Sequence, residues 1–129
     1  MTKLFVSPSE ATSWSLPPQW LGQRLQADWP DAEVEMIASS SGRTVSLEYR
    51  CAVDGDAVHG SFDRPGQALV VEGSPRAGVR LIAWFRGLVT DEQELLAFDE
   101  GFERSVPVPP GTTVHELERV FVEVDRPEG

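Results

Sequence analysis

The chain has 129 residues, the size of one domain that can bury about two-thirds of its unfolded surface without disulfides or metals. Its 40% hydrophobic and 25% charged residues are ordinary for a globular protein, and no apolar run approaches the ~20 residues of a membrane-spanning helix, so neither global disorder nor a membrane span is expected. The 21 acidic side chains outnumber 11 basic ones, a formal charge of −10, which disfavours nucleic acid and anionic membranes, since both are bound through Lys and Arg, and suits a basic protein partner.

The segment from Met1 to Pro8 has one Lys and no apolar run of signal-peptide length, and Cys51 has no second cysteine to pair with. Both features point to the cytoplasm.

Lys3 to Val6 reads as a short first strand, followed by a Ser- and Pro-containing loop that carries Trp14. After Pro17 and Pro18, the segment from Gln19 to Trp29 repeats Leu21, Leu25 and Trp29 at i, i+4 and i+8, which predicts a one-sided helix that Pro30 stops. Gly22 weakens this helix but is small enough to let it pack closely on a sheet. Glu33 to Ala38 reads as a strand, and Ser39 to Gly42 as a turn.

The stretch from Thr44 to Gly73 is the most determined part. Val45, Leu47, Tyr49, Cys51 and Val53 alternate with Ser46, Glu48 and Arg50, the period of a half-buried strand. Asp54-Gly55 is a two-residue hairpin turn, which places Val53 opposite Asp56, Cys51 opposite Val58, Tyr49 opposite Gly60 and Leu47 opposite Phe62. A second turn at Pro65-Gly66 sets Phe62 opposite Leu69 and Gly60 opposite Val71. The other face, with Ser46, Glu48, Arg50, His59 and Ser61, is polar enough to face solvent.

Ser74-Pro75 starts a helix, Ser as cap and Pro in the first turn. From Ala77 to Val89 more than half its circumference is apolar, so both the sheet and another element should cover it. Glu94 to Phe98 reads as a strand or short helix, and Val106 to Gly111 as extended because of its prolines. Thr113 and Glu116 have the spacing of a capping box, which opens a last helix ending near Phe121, and the tail from Asp125 to Gly129 should fray. These elements predict a single α+β domain over 1–129, with a four-stranded or five-stranded antiparallel sheet and two to three helices packed on one face.

No catalytic or metal motif stands out. Cys51 and His59 are close in the hairpin but fall on opposite faces, so they do not form a nucleophile and base. No His or Cys pair has a zinc-ligand spacing, and Asp91, Glu92, Glu94, Asp99, Glu100 and Glu103 do not follow a calcium loop. Asp99 with Glu103, or Glu100 with Glu48, would need a desolvated cleft to act as an acid/base pair. Gly55, Gly60, Gly66 and Gly73 are hairpin glycines, without the strand-to-helix context of a phosphate loop. No metal and no cofactor is expected.

Of the four tryptophans, Trp29 and Trp84 are in phase with the core and Trp14 and Trp20 are candidates for partial exposure. In element order alone the chain resembles small acidic secretion-chaperone folds and bacterial immunity-protein folds; no residue motif supports either family, and the resemblance implies only a protein that binds another protein, including as a dimer. The expected function is a small acidic cytoplasmic protein-binding module without catalysis, immunity-, chaperone- or adaptor-like. Its interface is expected among Trp14, Trp20, Asp91, Glu92, Asp99, Glu100 and Glu103. Two alternatives are a small-ligand-binding domain or enzyme with a pocket beside the 99–110 loop, and a homo-oligomer subunit joined through Leu95, Leu96 and Phe98 or Phe102.

Overall fold

A computed structural model describes residues 2–122; the tail from Asp125 to Gly129, expected to fray, lies outside the described residues. The element order is β1 (Thr2–Pro8), α1 (Pro18–Asp28), β2 (Glu33–Met36), β3 (Val45–Val53), β4 (Asp56–Asp63), β5 (Leu69–Gly73), α2 (Pro75–Leu88), β6 (Leu95–Asp99), β7 (Ser105–Pro107) and α3 (Val114–Phe121). Among the described residues the fold is α+β, with three helices and one antiparallel sheet. The sheet has seven strands in the order β2-β3-β4-β5-β1-β6-β7, which corrects the expected four or five.

The extra strands have two sources. β1 is a central strand, pairing with β5 on one side and β6 on the other, so it ties the meander to the C-terminal hairpin. Residues 95–99 are a strand and not a helix, and they recruit β7, a three-residue strand ending at Pro107 at the sheet edge, where a residue with no N–H is tolerated.

The hairpin registers agree with the alternation pattern. Val53 faces Asp56, Cys51 faces Val58, Tyr49 faces Gly60, Leu47 faces Phe62, Phe62 faces Leu69 and Gly60 faces Val71. Asp54 and Gly55 both have positive φ, 52° and 85°, as a tight hairpin turn requires. The pattern fails at the start of β3, where an irregularity between Val45 and Leu47 turns Ser46 inward, against its expected exposure. Buried Ser46 recovers its hydrogen bonding by donating its hydroxyl to the Asp63 carbonyl at 3.0 Å.

All three helices lie on one side of the sheet. α1 packs on β2 and β3, α2 on β1, β4 and β5, and α3 on α2. The wide apolar surface of α2 is therefore covered by the sheet, where Phe85 meets Phe62 edge-on at 6.0 Å, and by α3, whose buried Leu117 and Phe121 belong to the same core cluster. At Gly22 a Cβ would lie 3.1 Å from Val34 and 3.2 Å from Leu47, so the glycine sets how closely α1 sits on the sheet. Ser74 caps α2 by accepting from the Ala77 N–H, and Thr113 and Glu116 form the expected capping box on α3. Trp29 and Trp84 are less interior than expected: they meet edge-on at 5.4 Å, and the Trp84 indole donates to Asp28 at 2.6 Å near the surface.

Two measurements test this packing. The Tyr49 ring crosses Gly60, and its hydroxyl donates to the Val70 carbonyl at 2.7 Å; a Cβ at residue 60 would collide with both groups. Gly60→Ala should lower unfolding free energy by about 2–3 kcal/mol in denaturant melts, because backbone must move. The Thr113 amide and hydroxyl hold the Glu116 carboxyl below its ordinary pKa. Its stabilisation is thus present above the unfolded pKa and lost as pH falls through the folded one, so the stability gap between the parent protein and Glu116→Gln should close on acidification below about pH 4.

Candidate binding surface

With every helix on one side, the other face of the sheet is uncovered within the described residues. In β1, Leu4 and Val6 point into the core, so Lys3 and Phe5 point out; in β6, Leu95 and Ala97 point in, so Leu96 and Phe98 point out. The β1–β6 register sets Phe5 directly opposite Phe98, and the rings stack with centroids 5.0 Å apart and planes 7° from parallel. Phe102 continues the stack, 4.2 Å from Phe98.

Phe102 lies in the turn between β6 and β7 at a left-handed φ of 59° and is 58% exposed. That conformation costs a bulky residue about 1–2 kcal/mol. Asp99 holds the turn: its carboxylate accepts from the Arg104 amide at 3.0 Å and pairs with the Arg104 guanidinium at 3.5 Å, while its carbonyl accepts from the Phe102 amide at 3.1 Å.

A row of charged side chains crosses the same face. Glu33, Arg50, His59, Glu72 and Lys3 are successive cross-strand neighbours from β2 to β1. His59 Nε2 lies 2.7 Å from Glu72, Lys3 lies 3.8 Å from Glu72, and the Lys3 ammonium also stands 5.6 Å from the Phe5 ring centre. In the next row Glu35 faces Glu48, whose pKa is lowered by a hydrogen bond from Arg43 at 2.6 Å. Glu33, Glu35, Glu48, Arg50 and His59 border an open groove of about 340 Å³.

The sequence-derived interface residues do not form one site. Asp99, Glu100 and Glu103 share the β6–β7 turn with Phe102, but Asp99 is buried and engaged in holding that turn. Trp20 sits on α1, in the helix layer on the far side of the sheet, 38% exposed. Trp14 packs against the core from the loop before α1, whose Thr12 and Trp14 carbonyls accept from Gln67. Asp91 and Glu92 belong to the turn after α2. Cys51 is buried on the core side, its thiol pKa raised by burial, while His59 is on the open face, so the two point apart. Phe5 is not among the sequence-derived interface residues, although its position between Leu4 and Val6 in a strand carries the signal of its outward placement.

A cavity of about 220 Å³ does lie beside the segment 107–110, between Leu95, Leu96, Arg86 and the prolines. Arg86 is 3% exposed. Its guanidinium donates to four carbonyls, those of Gln93 at 2.7 Å, Thr90 at 2.5 Å, Val108 at 3.2 Å and Val89 at 3.3 Å, while Nε has no partner among the described residues. Desolvation lowers its pKa and the nearby Asp91 charge opposes that shift. The side chain clamps the end of α2 to the two segments that frame the cavity. Among the described residues no group of three or more His, Cys, Asp or Glu side chains is placed to hold a metal ion, and no helix is long and apolar enough to cross a membrane. Comparison with protein-family models, with curated proteins and with solved structures found no match.

Arg86→Met should lower stability by about 3 kcal/mol or more in thermal or denaturant melts, because a buried aliphatic chain leaves four carbonyls unsatisfied. Retention of parent stability would mean that water replaces the clamp.

Proposed function

We propose that this is a protein-binding module without catalysis, and that it takes a basic segment of another protein on the open face of its sheet. The observation that carries this reading is the Phe5–Phe98–Phe102 stack, three nearly parallel rings on the uncovered face of a chain with formal charge −10. The stack offers apolar area along its side and the outer π-face of exposed Phe102 at its end, which suit the stems and the cationic heads of Arg and Lys. The position of Lys3 over Phe5 shows the type of contact within the chain itself. Glu100 and Glu103 flank Phe102 and add negative charge at the rim, where it steers a cationic partner.

The strained φ of Phe102 supports the same reading. Gly or Asn would suit that turn position better, so the ring is kept there against local backbone preference, which is a feature of binding sites more than of folding. Self-association through the same rings would bring together two chains of charge −10 each, so a basic partner is favoured over a second copy.

Affinity capture from a native lysate at low and high salt, read by mass spectrometry, tests the proposal. The expected result is a basic protein retained at low salt, weakened at high salt, and weakened about 30-fold by Phe98→Ala, the loss typical of an interface hot spot. Capture that is indifferent to salt and to Phe98 would overturn it. Phe102→Gly should separate binding from folding: it relieves the left-handed φ, keeps stability within about 1 kcal/mol of the parent, and still weakens capture.

A further inference from the structure

The two edges of the sheet are not alike. β7 is three residues long, ends at Pro107, and is followed by Pro109 and Pro110, so that edge is poor in donors for another strand. β2 at the opposite edge has no proline and, among the described residues, pairs with β3 alone. Ile37 donates to the Ser46 carbonyl at 2.9 Å, and bonded residues alternate along an antiparallel ladder, so Glu33 and Glu35 bond towards β3. The N–H and C=O groups of Val34 and Met36 therefore point outward from the sheet.

A groove flanks this strand on each face. On the open face lies the groove bordered by Glu33, Glu35 and Glu48; on the helix side a second one, about 380 Å³, is framed by Val34 and Met36 and by Gly22, Gln23 and Gln26 of α1. Met36 is 44% exposed there. We infer that the free edge of β2 is a strand-addition site, at which an extended segment of a partner protein with alternating basic and apolar side chains pairs as an eighth strand. This deepens the protein-binding reading and rests on it.

Alternation follows from the strand period. One set of side chains of the added strand projects beside Glu33 and Glu35, the other beside Val34 and Met36. Glu35 faces Glu48 directly, and Arg43 is hydrogen-bonded to Glu48 while also feeling the charge of Glu35; Glu33 faces Arg50, but no ion pair within 4 Å to Glu33 or Glu35 is found among the described residues. Three carboxylates, Glu33, Glu35 and Glu48, thus share two guanidinium groups, Arg50 and Arg43, and a Lys or Arg on the added strand brings a direct ion-pair partner to Glu33 or Glu35. A second copy of this chain is a poor occupant, since edge-to-edge pairing of two β2 strands sets the same glutamates against each other on one face.

The test uses the peptide acetyl-Lys-Val-Lys-Val-Lys-Val-Lys-amide with the full chain, read by amide NMR shifts and hydrogen exchange at low salt. The expected result is slowed exchange at Val34 and Met36, with binding weakened at least about tenfold by Met36→Pro, which removes one outward N–H and no charge. Glu33→Lys/Glu35→Lys should weaken it to a similar extent and serves if the proline variant does not fold. No binding at millimolar peptide, or binding unchanged by these variants, overturns the site. So does a dimer in sedimentation that Met36→Pro dissociates, because the edge then belongs to a second copy. Partner capture that depends on Phe98 but not on Met36 removes this inference and leaves the proposed function standing; capture that depends on neither removes both.

Discussion

The pairing of β1 with both β5 and β6 is the constraint on which the rest depends. Without it the chain would hold a meander with two helices and a detached hairpin; with it the seven strands form one sheet. Leu4 and Val6 then sit under α2, where the Leu4 side chain lies 3.0 Å from the Cβ position of Gly78. The same alternation turns Lys3 and Phe5 to the other side. Core formation and the composition of the open face are thus one decision, made by four residues of a single strand.

The open face and the helix layer follow different physical rules. On the helix side, buried polar groups find backbone partners: Ser46 the Asp63 carbonyl, Tyr49 the Val70 carbonyl, and the two terminal nitrogens of Arg86 four carbonyls, with its Nε the exception. On the open face, rings are left partly in water, a bulky residue holds a left-handed φ, and Glu35 stands opposite Glu48. Each of these features costs stability and none is required by the core. A surface that binds something is the simplest physical reason for such features to occur together.

Local signals were strong enough to specify most of the architecture. The turn at Asp54-Gly55, the alternation from Leu47 to Val53, the Ser74 cap and the Thr113–Glu116 box each act over a few residues, and each has the predicted geometry. What failed was non-local or depended on edges. The central position of β1 is decided by residues 69–73 and 95–99, far away in sequence, and β7 is too short and too rich in proline to show a strand period. Ser46 was misplaced because an irregularity in a strand shifts the face of one residue without any mark in the alternation. Acidic and aromatic residues were recognisable as surface candidates, but only the sheet register shows that Phe5, Phe98 and Phe102 meet whereas Trp14 and Trp20 lie elsewhere.

The most direct test of the central claim, that the protein works through the open face of its sheet, is a hydrogen-exchange footprint of the complex with its captured partner. Slowed exchange along β1, β6 and the turn around Phe102, with α1 and α3 unchanged, is the predicted result. Slowed exchange confined to the helix layer would contradict it and place the binding surface on the opposite side of the molecule.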